Sequence, residues 1–148
     1  MKRSAIIAVL CVAAALLLAG CCQKCRKARE AAVRPIQGVV WHLVEFNGDP
    51  VDASGRYELS FLADGQIAGI GECNRFFGPY EVTNANGGIK IGPVVSTMMA
   101  CLEPNIEAEF FRMFEQVHLY QFDGSDLYLF VDNKAMAVFE PAGEKTAE

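Results

Sequence analysis

The six cysteines of this 148-residue chain are its most versatile reactive side chains, and they are unevenly spaced. Cys21, Cys22 and Cys25 crowd together, Cys11 precedes them inside an apolar run, and Cys73 and Cys101 stand well apart. A thiol carries lipid, binds a metal, exchanges in a redox pair or closes a disulfide, so the neighbouring residues must decide. Cys22 and Cys25 have the C-x-x-C spacing of a redox motif or of half a zinc site. Neither context fits. Such a redox pair opens a helix in a βαβ unit, and a zinc site needs a second ligand pair that neither His42 nor His118 brings. The pair is expected to be incidental, with no metal site and no cofactor.

The residues before the cluster give it another use. Lys2 and Arg3 are followed by an apolar run from Ala5 to Ala19 with no charge and no proline, the charged start and apolar middle of a secretory signal. The run closes on Leu18-Ala19-Gly20-Cys21, which resembles the lipobox of bacterial lipoproteins: a branched residue, two small residues, then the cysteine that takes the diacylglyceryl group. The resemblance implies cleavage before Cys21 and a lipid anchor on that thiol, with acyl chains such as palmitate. A rival reading is an uncleaved membrane helix from Ala5 to Cys22, supported by the basic Lys24, Arg26, Lys27 and Arg29 that follow. The lipobox and the acidic remainder favour the anchor. By the same resemblance, Cys22 rather than aspartate after the lipidated residue implies an outer-membrane address facing the periplasm in a cell with two membranes.

The expected organisation is a signal peptide over 1–20, a basic tether over 21–36 and one domain over 37–148, long enough to bury a core. The tether holds five basic residues and one acidic, net +4, whereas the domain holds six basic and seventeen acidic, net −11. A basic strip beside acyl chains favours anionic headgroups, by about 1 kcal/mol per charge near such a surface, while the acidic domain is repelled. The same balance argues against nucleic acid, whose binding needs clustered Lys and Arg. Membrane attachment and a monomeric state are expected.

Beyond the tether, turn signals at Asn47-Gly48-Asp49-Pro50, Asp64-Gly65, Asn84 to Gly88, Asp123-Gly124 and Asp132-Asn133 separate short β-rich runs. Strands are predicted near 39–46, 56–62, 66–72, 79–83, 89–92, 118–123, 126–131 and 135–140. Tyr57, Leu59 and Phe61 alternate with Glu58 and Ser60, so that strand is half buried. "LYLFV" and "AMAVF" are apolar on both faces, which predicts a hairpin covered on two sides. Ile106, Phe110, Met113, Phe114 and Val117 recur at helical spacing, with Glu107, Glu109, Arg112, Glu115 and Gln116 mainly opposite. Pro104 suits the first turn and Glu103 or Asn105 the cap. One helix on a strongly curved, partly open antiparallel sheet of about eight strands is an α+β fold.

Two interior stretches, "GIGECNRFFGPYEV" and "STMMAC", together with Trp41 and Leu43, resemble the META domain family that includes HslJ-like bacterial lipoproteins. The matching positions are Gly71, Cys73, Asn74, Phe76, Phe77, Gly78 and Tyr80, then Ser96, Thr97, Met99, Ala100 and Cys101. Glu109 falls where the family's helix usually has an acid, and Glu72 departs from the small residue common before the motif cysteine. The resemblance covers about 38–140. Read as residues alone, Cys-Asn-Arg-Phe-Phe-Gly is a corner in which Asn74 tolerates left-handed backbone, Gly78 permits close approach and Phe76 or Phe77 plugs the core, while Ser96 and Thr97 satisfy loop amides. If the two corners meet, a Cys73–Cys101 disulfide ties them, contributing roughly 3–4 kcal/mol.

An enzyme would pair Cys73 or Cys101 with His42 or His118. His42 is expected on the outer face and His118 packed among apolar residues. With no P-loop, no Gly-x-Ser-x-Gly elbow and only scattered carboxylates, no catalytic residue is assigned. The family resemblance implies an envelope accessory protein linked to heat or envelope stress, similar in fold to secretion pilotins. That makes a non-enzymatic, chaperone-like or secretion-accessory module with an unidentified envelope partner the expected function. The alternative is a carrier of a small hydrophobic ligand inside the curved sheet. A lined cavity favours the carrier, and a filled core with an exposed apolar groove or sheet edge favours the module.

Overall fold

The computed structural model describes residues 36–52, 56–102 and 104–143. The expected signal peptide, Cys21, Cys22 and Cys25 lie outside the described residues. Among the described residues, ten strands and one helix follow in order: β1 (Val40–Phe46), β2 (Asp49–Pro50), β3 (Glu58–Phe61), β4 (Gln66–Ile70), β5 (Arg75–Val82), β6 (Ile89–Ile91), β7 (Val95–Ser96), α1 (Glu107–Phe114), β8 (Leu119–Asp123), β9 (Asp126–Val131) and β10 (Lys134–Pro141).

All named strand pairs are antiparallel, in the order β6-β5-β4-β3-β1-β10-β9-β8, with β2 on β1 and β7 on β5. The two ends of this order then meet. Gly88 bridges Leu119, the Ile89 amide donates to the His118 carbonyl over 3.0 Å, and the Tyr120 amide donates to the Gly87 carbonyl over 2.8 Å. Gly87 is required for this closure, because a Cβ there would stand 2.2 Å from the Tyr120 carbonyl oxygen and its φ is +88°. The result is a nearly closed barrel with one helix packed on it.

Local chemistry explains the corners. Asn47 and Gly48 both have positive φ, the backbone of the tight Asn-Gly hairpin turn. The Asn84 side chain accepts from the amides of Asn86 and Gly88 and so folds the loop into β6. Inside, Leu43, Leu59, Phe61, Ile67, Leu127, Leu129 and Phe139 are fully buried, and α1 adds Phe110, Met113 and Phe114. Phe110 is the centre of an aromatic cluster, with ring centroids 5.4 Å from Tyr57, 5.9 Å from Phe76, 5.0 Å from Phe114 and 6.3 Å from Phe139. Burying each such ring is worth about 1.5–3 kcal/mol, with up to roughly 1.5 kcal/mol more per aromatic pair.

Several expectations need correction. The Cys-Asn-Arg-Phe-Phe-Gly stretch is no corner beyond Asn74: β5 begins at Arg75 and runs through Phe76, Phe77 and Gly78. Asn74 is absent from the positive-φ residues, while Tyr57, read as a plain strand residue, has φ +59°. The last hairpin buries its inner face, but Tyr128 and Phe130 on the other face are only half buried. His118 is exposed rather than packed, whereas His42 is on the outer face as expected, 3.3 Å from Glu58. Among the described residues no helix is long and apolar enough to cross a membrane.

Candidate functional site: a cysteine clasp with an apolar apron

The β4–β5 hairpin presents Gly71, Cys73 and Asn74 at its turn, and the β7–α1 loop carries Thr97, Met99 and Cys101. Cys73 and Cys101 are joined in a disulfide with Cα atoms 5.6 Å apart, so the two motif stretches do meet. Asn74, buried beside it, uses every polar atom of its side chain. Its Nδ2 donates to the Met99 carbonyl over 3.1 Å and to Glu107 Oε1 over 2.6 Å. Its Oδ1 accepts from the Met99 amide and from Thr97 Oγ1, each over 2.7 Å. The Arg75 amide in turn donates to Thr97 Oγ1. Asparagine suits this position because it offers two donors and an acceptor with two lone pairs on a short stem.

Glu107, in the first turn of α1, completes the clasp. Its Oε2 accepts from the amides of Cys73 over 3.0 Å and Asn74 over 2.9 Å, and its Oε1 lies 3.2 Å from Cys101 Sγ. Burial pushes the Glu107 carboxyl up, but hydrogen bonds from the Asn74 side chain and from the Cys73, Asn74 and Glu72 amides outweigh it and hold the group below its ordinary value. It therefore stays a carboxylate. Gly71 makes room for it: a Cβ there would stand 2.7 Å from Glu107 Oε2. The helix start is pinned from a second side, since the Ile106 amide donates to Tyr57 Oη over 3.2 Å and Asn105 Oδ1 accepts from the Glu107 amide. Burial, with the Glu72 carboxylate nearby, pushes the Tyr57 hydroxyl up to about 12. Glu72, the residue that departs from the family pattern, is ion-paired with Arg56.

Around the clasp the surface turns apolar. Phe77, Val95, Met98, Met99 and Leu102 are exposed, Met98 by 97% and Leu102 by 87%, and a cleft of about 540 Å³ opens between this loop and α1. β7 pairs with β5 on one side, through Phe76 with Ser96 and Phe77 with Val95. Among the described residues no strand pairs with its other side. Away from this surface, Gln37 bridges Phe61 and its side chain donates to Tyr80 Oη, at the end of β3, β4 and β5 remote from the Ile70–Arg75 turn.

A family model for the META domain matches residues 34–143. The chain belongs to the META domain family. No curated protein matches this META chain in sequence. Among solved structures, an NMR structure of a protein from Burkholderia xenovorans is 20% identical with a TM-score of 0.58, over 73% of this chain and 84% of that one. A second NMR structure is 24% identical with a TM-score of 0.58, over 71% and 90%. The crystal structure of a DUF4847 family protein from Bacteroides vulgatus ATCC 8482 is 18% identical with a TM-score of 0.51, over 70% and 92%. At these identities the likeness concerns the fold.

The META motif residues divide into three roles. Gly71, Cys73, Asn74, Thr97, Met99 and Cys101 build the clasp. Phe76, Gly78 and Tyr80 are buried, Phe76 between Phe110, Phe111 and Phe114, and Gly78 under the Pro93 carbonyl. Phe77 and Ser96 face solvent. Sequence reasoning placed Glu107 on the polar side of the helix and gave weight to Glu109, but Glu109 is exposed and Glu107 is the acid that reaches the motif. A signal was present: Glu107, Phe110, Phe111 and Phe114 fall at i, i+3, i+4 and i+7, one helical face. Met98 and Leu102 left no such trace, since exposure of an apolar side chain has no local pattern. No hydrogen bond or ion pair joins either histidine to Cys73 or Cys101 among the described residues.

Proposed function

We propose that this META protein is a lipid-anchored component of the bacterial cell envelope, held through Cys21 at the outer membrane where there are two, and that it works without catalysis by gripping an extended apolar segment of another envelope protein. The observation that carries this reading is the exposed apolar surface on a rigid frame. Five large apolar side chains stand in solvent on and beside a loop fixed by a disulfide and by the Asn74 side-chain bonds to Met99 and Thr97. Exposed apolar side chains gathered on one loop and the adjoining strands suit an interaction site, and the side of β7 away from β5 offers backbone groups to an added strand. The filled barrel interior supports this reading over a hydrophobic-ligand carrier, since Phe61, Phe110, Phe114 and Phe139 occupy the space such a ligand needs. A role in envelope or heat stress, or in secretion, fits such a grip.

The test is photo-crosslinking in intact cells from Met98 and from Leu102, with Asp64 in the β3–β4 turn as control. The same adduct from both apron positions, lost in Met98→Asp and absent from Asp64, is expected. Equal labelling from Asp64 would sink the reading. Intact-mass measurement of membrane-extracted protein addresses the anchor separately: a diacylated N-terminal Cys21 is expected, and a free thiol there with Met1 retained refutes it.

A further inference from the structure

We propose that Cys73, Cys101 and Glu107 form a three-ligand Zn²⁺ site when the disulfide is reduced, with the fourth position facing the cleft beside α1. Their donor atoms lie within 4.8 Å of one another. In a tetrahedral zinc site, bonds of about 2.3 Å to sulfur and about 2.0–2.2 Å to oxygen set neighbouring donors roughly 3.5–3.8 Å apart. The two sulfurs, bonded to each other in the disulfide, must therefore draw apart once the bond is reduced before one ion reaches all three. The Cys101 Sγ–Glu107 Oε1 separation is already 3.2 Å.

The arrangement survives loss of the S–S bond because a second strap holds the same two segments. Asn74 ties the hairpin to Met99 and Thr97, and Glu107 ties α1 to the Cys73 and Asn74 amides. Those donors also fix the carboxylate, as outer-shell partners do for metal ligands. Reduction places two thiols beside a carboxylate, and a divalent cation bound there takes the place of the two thiol protons. The reductant is a dithiol: its two sulfurs give up two electrons and two protons and become a disulfide, and Cys73 and Cys101 become thiols. Two thiolates and a carboxylate suit zinc. The fourth position is left to water or to a ligand in the cleft lined by Met99, Asn105 and Ala108.

The probe is Co²⁺ as a spectroscopic stand-in for Zn²⁺, added to the full chain with Cys11, Cys21, Cys22 and Cys25 changed to serine and reduced by a phosphine. A thiolate-to-cobalt charge-transfer band at one equivalent, displaced by Zn²⁺, is expected only in the reduced protein. Cys101→Ser should abolish it, and Glu107→Gln should weaken binding about 10- to 100-fold. X-ray absorption of the reduced Zn²⁺ form, independent of any Glu107 variant, should count two sulfur and two oxygen ligands. No band, a band unchanged by Cys101→Ser, a different sulfur count, or loss of the near-ultraviolet circular dichroism on reduction would each overturn the site.

Discussion

Glu107 and Asn74 are joined twice: the asparagine's Nδ2 donates to Oε1 over 2.6 Å and its backbone amide donates to Oε2 over 2.9 Å. One residue sits at the head of the helix and the other at the turn between β4 and β5, so this pair sets where α1 lies against the sheet. The disulfide acts on a different partner, the loop between β7 and α1. The Asn74 side chain holds the same loop through Met99 and Thr97, so it serves both helix and loop, whereas the disulfide serves the loop alone.

Asn74→Ala removes the side-chain bonds to helix and loop and leaves the disulfide and the two backbone amides on Glu107 in place. The Met99 amide and the Thr97 hydroxyl lose a partner in a partly buried place and one carboxylate oxygen loses one in a buried place, so stability should fall by about 1–3 kcal/mol. Urea denaturation of the oxidised protein measures this, and a loss below about 0.5 kcal/mol would show that water replaces the side chain freely.

Breaking the covalent tie should weaken the fold without abolishing it. The disulfide spans a sequence separation of 28 residues. A loop of that size gives about 3–4 kcal/mol in the chain-entropy model. Cys73→Ser/Cys101→Ser should lower the urea midpoint accordingly and keep native near-ultraviolet circular dichroism, because Asn74 still binds Met99.

Acid should find Glu107. Its carboxyl titrates lower in the folded state than in the unfolded chain, so the unfolded chain binds the proton first as pH falls. The stabilisation is complete above the ordinary carboxylate range and disappears as pH drops through the depressed folded value. Glu107→Gln should therefore be less stable than the parent at neutral pH, with the gap closing in strong acid. A gap that stays constant with pH would mean that charge contributes nothing there.

Gly71→Ala should push the carboxylate out of its seat. The added methyl would lie 2.7 Å from Glu107 Oε2, 2.8 Å from its Cγ and 3.0 Å from the Phe111 ring. Overpacking of this kind costs about 1–3 kcal/mol. The variant should also lose part of the acid sensitivity just described, which a simple loss of packing elsewhere would leave intact.

Met98→Asp and Leu102→Glu separate folding from recognition. Both side chains are almost wholly exposed, so thermal midpoints should hold within the small range typical of surface changes, about 0.5 kcal/mol. Crosslinking from the apron should nevertheless disappear.

The α+β class, the helix and most strands were legible because period-2 and period-3.6 patterns mark which side chains face a core. Leu59 and Phe61, or Phe110 and Phe114, announce themselves this way. The Cys73–Cys101 disulfide was legible only as a condition, that the two motif stretches meet, and the structure meets it. What stayed hidden depends on distant contacts. Tyr57 takes a left-handed backbone because its amide binds the Gly71 carbonyl and its ring must reach Phe110. β7 exists only because Phe76 and Phe77 provide a partner. Glu107 reads as a solvent-facing acid until the hairpin amides that neutralise it are brought alongside. His118 follows Val117, which is buried, yet points outward, since its backbone rather than its ring is committed to Phe130 and Ile89.

The return of the strand ladder upon itself at Gly88 and Leu119 has a mechanical consequence. A sheet with free margins frays from them, strand by strand, whereas here the amides of Ile89 and Tyr120 are locked across the seam. Both should exchange with deuterated solvent about as slowly as the central strands, opening only when the whole body does.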